Sequence, residues 1–144
     1  FGQGLFGVLF YILVYAFDSS EKVKHRIAKE LLKRCWLGST AYAVSVQNLS
    51  EFFVNVTKKV ANPISRQEGA DIVKKMIEFE GLVKIEPTKE TVANALDISL
   101  KSNTSYWDSL IAATMIENRI FNIYTENTKD FSKIGAVKAE NPFV

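Results

Sequence analysis

The sequence predicts an α/β fold, a three-layer α/β/α arrangement around a central, mostly parallel sheet. Two observations support this prediction. Segments with strand and helix patterns alternate along the chain in the order β-α-β-α-α-β-α-α-β, which is typical of a parallel sheet between helix layers. The first strand-like segment, residues 8–16, is apolar throughout, as expected for a central strand covered on both faces. The length of 144 residues fits a single domain, residues 1–144.

The first half of the chain continues this alternation. Asp18, Ser19 and Ser20 offer N-caps for a charged helix that ends near Lys33-Arg34, where cations complement the helix dipole. Residues 42–46 have the pattern of a short strand. A helix is then expected over residues 47–60, ending before Asn62-Pro63.

The second half adds three helices and two strands. Ser65 and Glu68 have the spacing of a capping box and predict a helix start. A strand over residues 82–86 ends at Pro87, and Thr88 caps the next helix. We expect that helix to turn its apolar residues inward, and a further helix and strand are predicted over residues 107–118 and 122–126. The inward residues are Val92, Ala95, Leu96 and Leu100.

Composition excludes several classes of chemistry. The only cysteine, Cys35, cannot form an intrachain disulfide and is expected to pack as a small apolar residue. The single His25 excludes a histidine-based triad and a histidine-rich zinc site. No Gly-rich phosphate loop is present, so nucleoside triphosphate binding has no support. The net charge of +2 neither indicates nor excludes a local basic groove for nucleic acid.

The amino-terminal residues 1–17 carry no charge and could be taken for a membrane span. Seventeen residues with three glycines lie at the short limit for such a span, and a signal peptide would need a positive start and a small-residue cleavage site. We therefore expect a buried strand here, no membrane association and a cytoplasmic location.

Acidic residues on separate elements form the candidate site. Asp108 lies in the first turn of an apolar helix, Glu51 lies in another, and Asn127 and Asp130 follow the last predicted strand. Ligands of such folds bind at the carboxyl ends of the strands, and converging acids there commonly hold a divalent cation against phosphate.

Each of these residues also has a purely structural interpretation. Ser105-x-x-Asp108 has the form of a capping box, in which the carboxylate only serves the helix end. Glu51 could pair with a lysine, and Asn127 and Asp130 could simply belong to a turn. These alternatives remain open at the level of the sequence.

Taken together, these segments resemble the PIN domain, and more closely the VapC-type toxin ribonucleases of prokaryotic toxin–antitoxin pairs. The resemblance covers nearly the whole chain, and the order and spacing of its pieces are more specific than any one piece. The matching segments are Ile12-Leu13-Val14, residues 45–52, Tyr106-Trp107-Asp108-Ser109-Leu110, Thr125-Glu126-Asn127, Asp130-Phe131 and Asn141-Pro142-Phe143.

The resemblance implies a ribonuclease that uses Mg²⁺ or Mn²⁺ bound by an acidic cluster to activate a water for attack on RNA phosphodiesters. By this resemblance the catalytic acids are Glu51, Asp108 and Asp130, Asn127 joins them as a metal ligand, and Thr125 supports the site. It also implies a small antitoxin partner and a homodimer. The apolar part of the antitoxin surface could come from Phe52, Phe53 and Trp107, although core packing is the more ordinary use of each residue.

The chain departs from the family pattern at its first acid. That acid belongs to an Asp-x-Asn-Ile-Leu-Val motif, whereas Leu9, Phe10 and Tyr11 precede Ile12-Leu13-Val14 here. Asp18, nine residues beyond Leu9, is not expected to replace it. A second hypothesis is therefore a catalytically weakened or inactive module that binds RNA or protein through the same groove.

Overall fold

The computed structural model describes residues 5–8 and 10–144, with the side chain of Phe10 also left undescribed. Within these residues, five strands alternate with seven α-helices and one short π-helical turn. The strands are β1 (Phe6–Val8), β2 (Tyr42–Ser45), β3 (Leu82–Ile85), β4 (Asn122–Tyr124) and β5 (Lys138–Glu140). The helices are α1 (Phe10–Tyr15), α2 (Lys22–Trp36), α3 (Val46–Val54), α4 (Arg66–Glu78), α5 (Lys89–Ser102), α6 (Tyr106–Glu117) and α7 (Thr128–Ser132), and the π-helical turn is Asn55–Lys59.

All neighbouring strands pair in parallel, in the order β3-β2-β1-β4-β5. The chain therefore builds outward from β1 in one direction and then returns to build outward in the other. The switch point lies between β1 and its two neighbours, where Phe6 pairs with Tyr42 on one side and Asn122 on the other. In open parallel sheets, the crevice beyond the carboxyl ends of the strands at such a point is where ligands bind.

Helices cover both faces of the sheet, which confirms the predicted three-layer α/β/α class. Successive residues of a strand point to opposite faces. Accordingly, Tyr42 and Val44 of β2 join one apolar cluster with residues of α1–α4, while Ala43 between them joins a second cluster with residues of α6 and α7. The two clusters are the cores between the sheet and its two helix layers.

The first predicted strand was correct in kind but wrong in position. The central parallel strand is Phe6–Val8, and residues 10–15 of the expected strand form α1 instead. An uninterrupted apolar run has neither the period of a strand nor that of a helix, so its pattern cannot separate the two. Ile12, Leu13 and Val14 are all buried because α1 lies in the core between the sheet and α2 and α3.

The α5 helix buries fewer apolar residues than predicted. Ala95 is buried against α6, but Val92, Leu96 and Leu100 are exposed. The inward face of α5 uses Thr91, Ala95 and Ile98. Thr91 and Ala95 have small side chains, which allow close packing on α6, and Ile98 packs against the same cluster. The expectation that Val92, Leu96 and Leu100 turn inward is therefore wrong, and these residues leave an apolar stripe on the outside.

The tail forms α7 and the edge strand β5, neither of which the sequence indicated. The strand is only three residues long and alternates Lys138, Ala139 and Glu140, a polar composition that suits an exposed edge. It positions the loop after β4, because the Thr125 amide donates to the Glu140 carbonyl at 3.0 Å.

The α6 helix packs closely on the central strand. A Cβ at Gly7 would lie 2.9 Å from the Met115 sulfur, so the absence of a side chain at Gly7 allows this approach. Six residues of α6 are buried because it lies between the sheet and α5. Among the described residues, no helix is both long and apolar enough to cross a membrane.

Candidate active site

Three polar segments meet at the carboxyl edge of the sheet. The α3 helix begins directly after β2, with Ser45 as its N-cap, and the loop carrying Thr125 and Asn127 follows β4. The α6 helix runs antiparallel to β4, so its amino-terminal turn, which carries Asp108, lies at this same edge. The topology thus brings residues from distant parts of the chain to the switch point.

Asn127 joins two of the predicted site acids. Its side-chain nitrogen, Nδ2, donates to Asp108 Oδ2 at 3.3 Å and to Asp130 Oδ2 at 3.0 Å. Asp108 lies 19 residues from Asn127 along the chain, so this contact is tertiary. We call these three residues the Asp108–Asn127–Asp130 cluster.

Asp108 is half-buried in this cluster, and burial raises the pKa of its carboxyl group. The nearby charge of Asp130 raises it further, while a hydrogen bond with Ser105 opposes the rise. Ser105 also caps α6, because its hydroxyl oxygen accepts from the Asp108 amide at 3.2 Å. The capping interpretation therefore describes the helix start, and the contact with Asn127 is additional to it.

Asp130 is more exposed and its pKa shifts the other way. The hydrogen bond from Asn127 is the main cause that lowers its pKa, and Lys133, whose Nζ lies 3.5 Å from Asp130 Oδ1, adds to the effect. The pKa values of the two neighbouring carboxyl groups therefore shift in opposite directions. Asp130 loses its proton more readily than an ordinary aspartate, and Asp108 holds its proton more tightly.

Glu51 lies on α3 and does not join this cluster through any hydrogen bond or ion pair found among the described residues. Its Oε1 accepts from the Asn48 side chain at 3.3 Å, and Gln47 donates as well. Burial raises the pKa of Glu51 despite these bonds and the charge of Lys59. Within residues 5–8 and 10–144, no group of three His, Cys, Asp or Glu side chains is close enough to hold a metal ion.

Tyr11 organises the loop after β4, a role that the sequence analysis did not predict. Its hydroxyl lies 2.5 Å from the hydroxyl of the fully buried Thr125 and accepts from the Glu126 amide at 3.0 Å. Thr125 Oγ1 in turn accepts from the Asn127 amide at 3.0 Å. Tyr11 occupies the position of the family's motif asparagine, and that polar position was the available signal.

Glu126 anchors the same loop to α1 and α2, which the sequence analysis also missed. Lys24 Nζ lies 2.7 Å from Glu126 Oε2, and the Tyr15 hydroxyl donates to Glu126 Oε1 at 2.9 Å. The Phe143 ring packs edge-on against Tyr15 at 5.2 Å between ring centres. The loop that carries Asn127 is therefore held on two sides.

The first acid of the family pattern has no described counterpart. Leu9, which occupies its place, lies outside the described residues. Asp18 is buried at the end of the segment after α1, where its Oδ1 accepts from the amide and hydroxyl of Ser20 at 3.1 and 2.7 Å. Asp18 thus stabilises a local turn.

The family model for the PIN domain matches residues 11–137 of this chain. The match spans most of the sequence and includes the whole Asp108–Asn127–Asp130 cluster. The chain belongs to the PIN domain family, which is a family of nucleases. No curated protein sequence gives a significant match to it.

Solved structures of VapC toxins and toxin–antitoxin complexes share the fold. The chain aligns with the sarcin-ricin loop cleaving toxin VapC20 of Mycobacterium tuberculosis with a TM-score of 0.65 and 14% identity, covering 88% of this chain and 93% of that one. A toxin–antitoxin complex from Klebsiella pneumoniae gives 0.66 and 20%, covering 95% and 97%. VapBC2 of Rickettsia felis, bound to promoter DNA, gives 0.66 and 18%, covering 95% and 98%. At these identities the likeness shows the fold alone.

Proposed function

We propose that this protein is a metal-dependent endoribonuclease of the VapC toxin type, acting as a single domain over residues 1–144. The observation that carries the proposal is the Asp108–Asn127–Asp130 cluster, built from two distant segments at the switch point of a PIN-family sheet. Its substrate would be RNA, and its metal Mg²⁺ or Mn²⁺.

The cluster suits a hard divalent cation in the chemistry of its donors. Both cations prefer oxygen ligands, which the two carboxylates and the Asn127 amide supply. The Asn127 NH₂ group lies between the two carboxylates, so this position attracts a group with partial positive charge. Turning the amide about its last torsion would offer its oxygen instead. Glu51, from α3, lies apart from this cluster and would have to move toward the cation to complete the ligand set.

The chain's own residues would position the reacting groups. Asp108, Asp130, Asn127 and Glu51 would hold the cation, whose chemistry is to acidify a bound water and offset charge on the phosphate. Thr125 and Tyr11 would fix the backbone of Asn127, and the anchored Glu126 would prevent this loop from moving away. Burial raises the pKa of Asp108 in the metal-free protein, so Asp108 would take up the cation most readily at a pH above that pKa, where it is ionised.

Cleavage of single-stranded RNA tests this proposal. Purified protein should cut RNA with Mn²⁺ or Mg²⁺ and stop when EDTA removes the ion. Asp108→Asn should lose at least about 10-fold in rate, because loss of a group that only supports a metal ligand already costs about 10- to 100-fold. Asp97→Asn, which removes an exposed acid from α5, is the matched control and should cleave normally. Equal cleavage by wild type and Asp108→Asn would overturn the role of Asp108.

The second candidate function is a weakened or inactive module that binds RNA or protein. Two observations favour it: Leu9 replaces the first acid, and no three acids converge among the described residues. Calorimetry with Mn²⁺ separates the candidates, since retained RNA binding without metal binding would support the module. Leu9→Asp should then increase Mn²⁺ affinity, because it restores the missing carboxylate of the family pattern.

We also propose a small antitoxin as partner, bound over the acidic site and along an apolar groove that extends to the opposite edge of the sheet. The groove lies between α2 and α4 and has a volume of about 420 Å³. Trp36 and Leu37 are exposed on it, and three lysines at its rim form no ion pair with any described residue. The rim lysines are Lys29, Lys33 and Lys75.

An apolar floor with a basic rim fits an amphipathic helix that carries acidic residues beside an apolar stripe. A synthetic helix of that type should bind wild type and lose affinity for Lys33→Glu. A helix with lysines in place of its acids should bind more weakly to wild type. Equal binding of both peptides would contradict the proposal that this groove binds an acidic amphipathic helix.

The outer stripe of α5 is our candidate for the homodimer interface. Val92, Leu96 and Leu100 are spaced by four residues, so they lie in one row on the helix surface. The same patch on two copies is self-complementary about a two-fold axis. Sedimentation of wild type should reveal a dimer that Leu96→Lys disrupts, whereas Leu37→Lys, on the groove by α2, should leave it intact.

A further inference from the structure

An exposed tryptophan lies directly beside the candidate active site. Trp107 is 60% exposed, although core packing is the ordinary use of such a residue. It occupies the first turn of α6, immediately before Asp108, so the two Cα atoms are about 3.8 Å apart. Adjacent side chains of a helix point to different sides, so the indole would not touch a phosphate held at Asp108 but would be within reach of a base of the same strand.

Tyr106 holds the Trp107 indole in place. The ring of Tyr106 meets it edge to face, with 5.2 Å between ring centres. Tyr106 is itself packed against the small apolar cluster of Ala95, Leu110 and Ala113 between α5 and α6. An aromatic side chain that is anchored but exposed can stack with a base at little cost in side-chain entropy.

The charges of the site favour a contact that does not depend on charge. Without a cation, Asp108 and Asp130 repel phosphate, while the nearby Lys24 pairs with Glu126 and Lys133 pairs with Asp130. A net charge of +2 gives little general attraction for RNA. Stacking on an aromatic ring is independent of charge and tolerates any base.

We infer that Trp107 is a base-stacking platform for single-stranded RNA at the edge of the active site. The inference rests on the proposed function in that RNA is the substrate class, but it concerns binding rather than cleavage. It assigns to Trp107 a direct contact with the substrate and leaves Tyr106 as the residue that positions it.

The first test measures the fluorescence of Trp107 alone. In Trp36→Phe, Trp107 is the sole tryptophan, and a short single-stranded RNA added in EDTA should quench its fluorescence. An abasic strand of equal length should quench it far less. Trp107→Ala should weaken RNA binding about 5- to 100-fold, and Trp107→Phe should restore most of the loss.

Phe121→Ala is the control. Phe121 is also an exposed aromatic residue, at 46%, but it lies directly before β4 and hence at the opposite edge of the sheet. Its removal should leave RNA affinity unchanged. The inference is overturned if Trp107→Ala binds RNA as tightly as wild type, if it loses equal affinity for RNA and the abasic strand, or if no RNA binds with or without Mn²⁺.

These outcomes separate the inference from the proposed function. Quenching of Trp107 by RNA without any metal-dependent cleavage would end the nuclease proposal and retain the stacking platform. Normal cleavage by Trp107→Ala with an unchanged KM would end the stacking platform and retain the nuclease.

Discussion

At the scale of single residues, Asn127 decides how the site behaves without a metal. It donates to both Asp108 and Asp130 and so separates two carboxylates that would otherwise face each other. Asn127→Asp should replace that donor with a third negative charge. The metal-free protein should then melt at a lower temperature, and Mn²⁺ should raise the melting temperature more than it does in wild type. A variant that melts like wild type in both conditions would contradict this account of the cluster.

The raised pKa of Asp108 predicts how the stability of the metal-free protein depends on pH. Its pKa in the folded protein is raised, so the folded state binds this proton more tightly than the unfolded state. The stability contributed is present below the unfolded pKa and is lost as pH rises through the folded pKa. Asp108→Asn removes this loss, so urea unfolding of the metal-free protein should show a smaller fall in stability across that window.

The free energy of unfolding of Asp108→Asn should still fall somewhat with rising pH, because the pKa of Glu51 is also raised. Asp130 acts in the opposite direction, because its lowered pKa gives stability that is lost as pH falls. Asp97→Asn serves as the control and should keep the wild-type slope. An unchanged slope in Asp108→Asn would mean that this carboxyl group does not titrate as described.

Tyr11 supports the loop that carries Asn127. Tyr11→Phe keeps the ring but removes the oxygen that bonds the Glu126 amide and the Thr125 hydroxyl. Leaving such groups without a partner costs about 1–3 kcal/mol of unfolding free energy. Denaturant melts measure this loss, and Tyr106→Phe is the control, because its hydroxyl makes no hydrogen bond within the described residues. Equal stability of Tyr11→Phe and wild type would remove Tyr11 from this role.

At the scale of elements, helix caps at the carboxyl edge serve both stability and the site. Ser105 caps α6 and Ser65 caps α4, each by accepting from the amide three residues on. Replacing either serine with alanine should cost about 1 kcal/mol. Only Ser105→Ala should also slow RNA cleavage, because α6 carries Asp108. Thermal melts and cleavage assays of the two variants test this, and equal activity of both would contradict it.

The sequence predicted the alternation of elements because strand and helix periodicities are local properties. It also predicted the caps at Ser65, Thr88 and Ser105, whose residue types directly satisfy backbone amides. It misplaced β1, because an apolar run covered on all sides carries no period. It missed β5, whose strand conformation comes from pairing with β4 and not from its own polar residues.

Part of the site could be predicted from the sequence for the same reason. An acid in the first turn of an apolar helix and polar residues directly after a predicted strand are local patterns, so Asp108, Asn127 and Asp130 could be named in advance. The bonds from Tyr11 and Lys24 join residues more than 100 positions apart along the chain, and only the fold brings them together. Whether Trp107 is buried or exposed depends on how α6 packs, which a helical pattern does not specify.

At the scale of the whole molecule, the sheet order places the site. Since β1 lies between β2 and β4, the segments that follow all three strands open onto one crevice. The loop after β4 is anchored to α1 and α2 through Tyr11, Tyr15 and Lys24, and to β5 through Glu140. This arrangement holds polar groups at one edge of the PIN-family sheet, where a cation and a phosphate could meet.

A calorimetric titration of the metal-free protein with Mn²⁺ tests the central claim most directly. The account predicts saturable binding of Mn²⁺ to wild type and to Asp97→Asn, and loss of that binding in Asp108→Asn with the fold intact by circular dichroism. Absence of Mn²⁺ binding in wild type, or identical binding in wild type and Asp108→Asn, would contradict a metal site built on the Asp108–Asn127–Asp130 cluster.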